Sequence, residues 1–284
     1  MCANFGWRTF YFPAGLRRKY SFMNKKVFIG IAIAIVVIIA VVGMVLLLSP
    51  KDTPSEGLEY SLNVDGKGYS VIGIGTCKDQ LIIIPKKYNG KPVVEIGKQA
   101  FYNCKTIVSI QLPTSLKKIC DSAFGNSSLT NIYIPNSVTS IGDGAFWNCK
   151  SLKSVNIPNS VTSIGSNAFQ YCTSLKSIVI PKSMTTIPEG VFSFCTSLES
   201  VTIPNSVTKI ENGAFSSCDW LSSITIPKSV ISIGGWAFEY CTSLRYITFE
   251  GTAAQWNAIE KGRIWNDKVP ATEVECSDKT VSLK

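Results

Sequence analysis

Hydrophobic positions along the chain fall into two patterns. From Val27 to Leu48 every residue is apolar or glycine. At a rise of ~1.5 Å per residue this block makes roughly 33 Å of helix, enough to cross a hydrocarbon core of ~30 Å. Ser49-Pro50 ends it, because proline cannot continue the helical hydrogen-bond ladder. Further on the apolar positions are brief and periodic. Pro135, Pro158, Pro181, Pro204 and Pro227 are 23 residues apart and each follows an isoleucine, while Pro113 lies 22 before Pro135. A small residue followed by Phe recurs in step, at Phe101, Phe124, Phe146, Phe169, Phe192, Phe215 and Phe238. A self-similar period of this length marks a stack of supersecondary units, none of which can bury its apolar face alone.

One unit, Ser151–Thr173, reads SLKSVNIPNSVTSIGSNAFQYCT. Leu152, Val155 and Ile157 have the spacing of a short strand with alternate side chains inward. Pro158 ends pairing because it has no N–H. Val161 and Ile164 start a second apolar edge, and Ala168-Phe169 with Cys172 predict a short helical turn over the back of the coil. The pattern L-x-x-I-x-I-P-x-x-V-x-x-I-G-x-x-A-F-x-x-C resembles the BspA-like (Treponema pallidum type) leucine-rich repeat family. The resemblance implies an α/β solenoid with units of ~23 residues and short strands in a parallel stacked sheet, to which the N-terminal transmembrane helix is added.

The same resemblance orders the flanks. Leu58–Ile84 looks like the N-terminal cap hairpins of the family, and Pro85 to Ile96 like a lengthened repeat. Thr252-Ala253-Ala254-Gln255 has the capping-box spacing of a helix start, with Trp256 and Ile259 on one face to seal the stack. The segment Thr272–Cys276 resembles the closing strand. The expected organisation is a basic cytoplasmic tail (1–26), the transmembrane signal anchor (27–48), a linker (49–57), the N-terminal cap (58–95), the repeats (96–249) and the C-terminal cap (250–284).

Charge sharpens the topology. The net charge is +9. Arg8, Arg17, Arg18, Lys19, Lys25 and Lys26 all precede the apolar block, and no acidic residue does. After it, Lys51 is outnumbered by Asp52, Glu56, Glu59 and Asp65. The positive-inside rule then places the N-terminus in the cytoplasm and the repeats outside the cell, as a single-pass protein of the cell membrane. A cleaved signal peptide, which would leave the protein secreted, fits less well. Its apolar stretch is normally ~7–15 residues and ends at small residues, where this chain has Leu46-Leu47-Leu48. Translation can start at Met1 or at Met23, whose MNKKVFIG is itself a compact anchor start.

The absence of histidine removes Ser-His-Asp and Cys-His catalysis. Neither a phosphate loop nor a nucleophile elbow is present, and no cofactor or metal is expected. Glu260 and Asp267, near Trp265, are a carboxylate pair of the acid/base type, but their spacing matches no motif and cap solubility explains both. Six of the ten cysteines (Cys104, Cys149, Cys172, Cys195, Cys218, Cys241) hold one position of the repeat. Stacked copies point the same way instead of converging, so they are expected to be small buried hydrophobes and not a disulfide framework.

The outward positions of the strand row form the candidate concave binding face: Tyr133, Asn156, Val179, Thr202, Thr225, Tyr246 and Thr248, flanked by Lys153, Lys176 and Arg245. This face is rich in hydroxyls and lacks the basic stripe that nucleic acid requires. It suits a protein or glycan on a host, matrix or neighbouring-cell surface. A second regular column, Thr139, Thr162, Thr185, Thr208 and Ser232, is expected on the other edge. Resemblance to the BspA-like family implies adhesion by a membrane-anchored extracellular repeat protein. The alternative is a structural or assembly component of the cell envelope that binds a partner of the same cell.

Overall fold

The computed structural model describes residues 53–283. The basic tail and the apolar segment 27–48 lie outside the described residues. Among the described residues no helix is long and apolar enough to cross a membrane.

Each coil of the solenoid has three sides. The front side is a strand of three or four residues, such as Asn131–Tyr133, Ser154–Asn156, Ser177–Val179 and Ser223–Ile226. The alternation of apolar and polar residues puts Ile132, Ile178 and Ile224 inside and their neighbours outside. An Ile-Pro corner follows, closed by a tight turn in which the Val138 N–H donates to Pro135 O and the Val161 N–H to Pro158 O, both at 3.0 Å. The back side is a two-residue strand, such as Ser140–Ile141 or Lys209–Ile210. Adjacent coils pair in parallel and in repeat register: Val155 beside Ile132, Ile164 beside Ile141, Ile233 beside Ile210.

The third side consists of turns. The expected helical turn at Ala-Phe is absent, and the single helix among the described residues is Ala253–Ala258. The cause is backbone handedness. The residues two before and two after each Phe adopt positive φ, for example Gln99 and Asn103 at 57° or Asn167 at 57° and Tyr171 at 62°. A left-handed residue every fourth position cannot continue a right-handed helix. The Phe N–H instead crosses to the next coil, as in Phe124 N to Ala145 O and Phe146 N to Ala168 O, both 2.8 Å. Asparagine tolerates this conformation and supplies four of these sites, Asn103, Asn126, Asn148 and Asn167.

The phenylalanines form the spine of the core. From Phe101 to Phe238 the rings are buried and stacked nearly parallel, with centroids 5.1–5.7 Å apart. Where a coil turns from the back strand into the ridge, glycine allows close approach. A Cβ at Gly142 would lie 2.6 Å from Asp121 N, and one at Gly165 would lie 2.4 Å from Asp143 N.

The ends differ from the repeat. Glu59–Leu62 pairs antiparallel with Tyr69–Gly73 at the N-terminal edge. The long segment after Pro85 is a hairpin, Lys87–Tyr88 against Lys91–Ile96, turned by Asn89 (φ 45°) and Gly90 (φ 78°). At the other end Thr252 accepts from Gln255 N, while the Gln255 side chain accepts from Thr252 N, completing the capping box. Trp256 and Ile259 are buried, and Trp256 lies 5.4 Å from Phe249 and 5.8 Å from Trp265. Glu273–Glu275 extends the front row and pairs antiparallel with Thr280–Ser282.

Five of the six repeat cysteines are fully buried, and all nine described cysteines are free. Cys104 is the exception, half-buried beside the N-terminal end. The five buried thiols also donate hydrogen bonds: Cys149 to Phe124 O at 3.0 Å, Cys172 to Phe146 O at 3.2 Å and Cys195 to Phe169 O at 3.2 Å. In the shortened coil Ser127 holds this place, buried and 3.4 Å from Cys149 Sγ. The position therefore selects a small side chain with a polar hydrogen as well as apolar bulk.

Candidate functional site

The front row sorts the ten candidate residues into three columns. Tyr133 stands opposite Asn156, Val179 opposite Thr202, and Thr225 opposite Thr248. These six form one column, which Glu275 continues beside Thr248. Tyr246 belongs to the adjacent column, opposite Ser223. Lys153, Lys176 and Arg245 form a third, where each strand begins. There the Lys153 N–H donates to Thr130 O and the Arg245 N–H to Ser222 O. Tyr133, Val179 and Tyr246 are 50%, 60% and 69% exposed. Asn156, Thr202 and Thr225 are exposed as well, and Thr248 is half-buried.

Charge on this face is sparse and locally balanced. Lys176 pairs with Glu199 at 3.4 Å, with both side chains largely in solvent. Such a pair contributes about 0–1 kcal/mol, so it adds little to stability. The front row is not one continuous ladder. It breaks between Ser154–Asn156 and Ser177–Val179, and again between Ser200–Thr202 and Ser223–Ile226. Each break follows a strand whose inward residue is valine, Val155 or Val201, which is left half-buried where the other repeat coils bury isoleucine.

Three surface features lie outside the predicted face. Trp220 is 65% exposed where the other coils have Ser151, Ser174, Ser197 and Ser243. That substitution in a serine column was visible in the sequence. On the turn ridge Tyr171 and Phe194 take the left-handed position that asparagine holds earlier. Their rings stack at 4.6 Å, with Trp147 edge-on to Tyr171 at 6.4 Å. A groove of about 290 Å³ opens on the back side between Thr162–Ser166 and Met184–Thr186.

The threonine column comes out differently, and the two cap carboxylates lie apart. The Thr208 column continues into Ile231, whose N–H donates to Thr208 O, so Ser232 is not part of it. The Thr139, Thr162 and Thr208 hydroxyls turn toward a carbonyl of the preceding coil, at 3.2–3.4 Å. Glu260 and Asp267 lie on different sides of their coil, Glu260 beside Ser232 on the back row and Asp267 under Tyr240 in the turns. No shared site joins them. Among the described residues no three Cys, Asp or Glu side chains converge as metal ligands would.

Burial sets the chemistry of the thiol row. Loss of solvation pushes the Cys195 thiol up to about 12, and raises Cys149, Cys172 and Cys218 in the same direction. These groups stay protonated and unreactive at neutral pH.

This stacked, 23-residue architecture is that of a leucine-rich repeat solenoid. The BspA type leucine-rich repeat region matches residues 77–197 and 162–265, with six copies, and the chain belongs to this family. It is similar to a leucine-rich repeat protein of T. pallidum, at 31% identity and a TM-score of 0.53, covering 74% of this chain and 85% of that one. It also shares its fold with a leucine-rich repeat protein from Bacteroides ovatus, at 23% identity and a TM-score of 0.53, covering 80% and 77%. No curated protein matches the chain in sequence.

Proposed function

We propose that the protein is a membrane-anchored binding module. The segment 27–48 holds it in the cell membrane with its N-terminus in the cytoplasm, and the solenoid is displayed outside. Its front face engages a protein or glycan on a host, matrix or neighbouring-cell surface. One observation carries this reading: six side chains stand in one register column with Tyr133 and Val179 largely exposed, and none of the six side chains hydrogen-bonds to the rest of the chain among the described residues. A column that contributes little to folding is free to vary for recognition. Aromatic anchors surrounded by hydroxyls supply contact area at low entropic cost. Membership of the BspA type family favours binding over catalysis, and so does the lack of histidine.

The test is adhesion to immobilised matrix proteins and to intact cells, comparing the native chain with Tyr133→Ser/Val179→Ser/Tyr246→Ser. Loss of binding by at least tenfold, about 1.4 kcal/mol, is expected. Undiminished binding by the triple variant refutes the face. Capture of one partner from the parent membrane, with no binding to any foreign surface, replaces adhesion by a role in envelope assembly.

A further inference from the structure

We propose that the junction between the coils 151–173 and 174–196 is a hinge that divides the solenoid into two rigid segments. It is the one coil junction in the repeat array that lacks paired strands on both sides. The front row breaks between Ser154–Asn156 and Ser177–Val179, and the back row breaks between Ser163–Ile164 and Thr186–Ile187. The other front break, after Ser200–Thr202, is covered by an intact back pair, Lys209–Ile210 with Ser232–Ile233.

Pro188 explains the back break. At this position in other coils the main-chain N–H donates to the isoleucine carbonyl of the preceding coil. Gly142 donates to Ile119 O at 2.8 Å, Gly165 to Ile141 O at 2.9 Å, Glu211 to Ile187 O at 2.9 Å and Gly234 to Ile210 O at 2.7 Å. Proline has no hydrogen to give, so the bond to Ile164 O cannot form. Because Glu211 keeps the bond while carrying a side chain, the missing N–H and not bulk alone sets Pro188 apart. The neighbouring bond is lost as well: Thr162 donates to Thr139 O and Thr208 to Thr185 O, but Thr185 makes no such bond to Thr162. The back-side groove lies in this gap.

What remains at the junction is asymmetric. The turn ridge stays stitched by Asn167 N to Glu189 O, Phe169 N to Val191 O and Tyr171 N to Ser193 O, at 2.9–3.0 Å. The Phe169 and Phe192 rings stay stacked at 5.7 Å, the same spacing as Phe192 and Phe215 in the next, fully paired junction. At the proline corner only side chains bridge, Asn159 accepting from Lys182 N and Ser183 donating to Val161 O. On the front a single 3.5 Å bond joins Lys176 N to Lys153 O. One continuous edge and two open ones define a hinge line along the ridge. Bending about it changes the separation of Tyr133 and Asn156 from Val179 and Thr202 while leaving each segment intact.

Hydrogen exchange of the full chain tests this. The Thr185 and Thr186 amides are expected to exchange at least tenfold faster than the equivalent Thr162, Ser163, Thr208 and Lys209 amides of the paired coils. Pro188→Ala and Pro188→Gly each restore an N–H and are expected to bring them within threefold. Spin labels at the exposed Lys117 and Lys209 should give a broad distance distribution in the native chain and a narrower one in Pro188→Ala. Equal exchange at all junctions, or no slowing in either folded variant, overturns the hinge.

Discussion

The stacked phenylalanines make the core's contribution measurable at one position. Phe169 is wholly buried, between Phe146 at 5.1 Å and 4° and Phe192 at 5.7 Å and 15°. Phe169→Ala removes a ring with no solvent to fill its place and ends two stacking contacts together. Ring-to-alanine changes in closed cores destabilise by about 3–5 kcal/mol, of which each lost aromatic pair accounts for about 0.5–1.5 kcal/mol. The backbone cannot collapse to close the gap, because Phe169 N and Tyr171 N are bonded to the next coil on both sides of the ring. The value should therefore lie in the upper half of that range. Urea unfolding followed by far-ultraviolet circular dichroism reads the loss as a fall in midpoint at unchanged slope. Tyr133→Ala, on the exposed front face, serves as the control and should change stability by less than about 0.5 kcal/mol. If Phe169→Ala costs under 1 kcal/mol, or no more than Tyr133→Ala, the aromatic spine does not hold the coils together.

Alkaline pH should weaken the fold through the thiol row. Burial raises the folded-state affinity of Cys149, Cys172, Cys195 and Cys218 for their protons. Unfolding frees these thiols to ionise near their ordinary value of 9.0. Their contribution is complete below that value and is lost as pH rises above it, at about 1.4 kcal/mol per thiol per unit until the raised folded-state value is reached. For Cys195 the loss between pH 8 and 10 is about 1.4 kcal/mol; the other three act in the same direction, and an unchanged urea midpoint over that range would refute it. At the C-terminal end, Trp256→Ala should cost about 3–5 kcal/mol, because Trp256 contacts Phe249 and Trp265 and lies under the Lys261 ammonium at 4.6 Å. Exchange of the Tyr246–Phe249 strand should rise before that of the Asn131–Tyr133 strand, and uniform loosening would contradict a local seal.

The periodic features were legible because periodicity encodes contact directly. Residues 23 apart are neighbours, so the Pro and Cys columns mark the corner and the thiol row directly. The capping box at Thr252 was legible for the same kind of reason, a local bond at fixed spacing. The turn ridge was misread as helical since Ala-Phe with a downstream Cys matches one turn of helix, and nothing apolar in the pattern marks left-handed residues. The asparagines at 103, 126, 148 and 167 were the available signal. The split of the binding candidates into three columns was hidden too, because the column a strand residue joins depends on register between coils as well as on its place within one.

Pro188 shows how a regular repeat carries local information. By pattern alone it is one more variation in a column that holds Gly142, Gly165, Glu211 and Gly234. Its consequence follows from the loss of one hydrogen, which removes the bond to Ile164 O and leaves two back strands unpaired. The front row opens at the same junction, where Val155 fills its place less fully than isoleucine does elsewhere. Two unrelated substitutions thus weaken one interface and leave its neighbours intact. In a solenoid, where each coil contacts only the next, that is sufficient to separate two mechanical segments without lowering the stability of either.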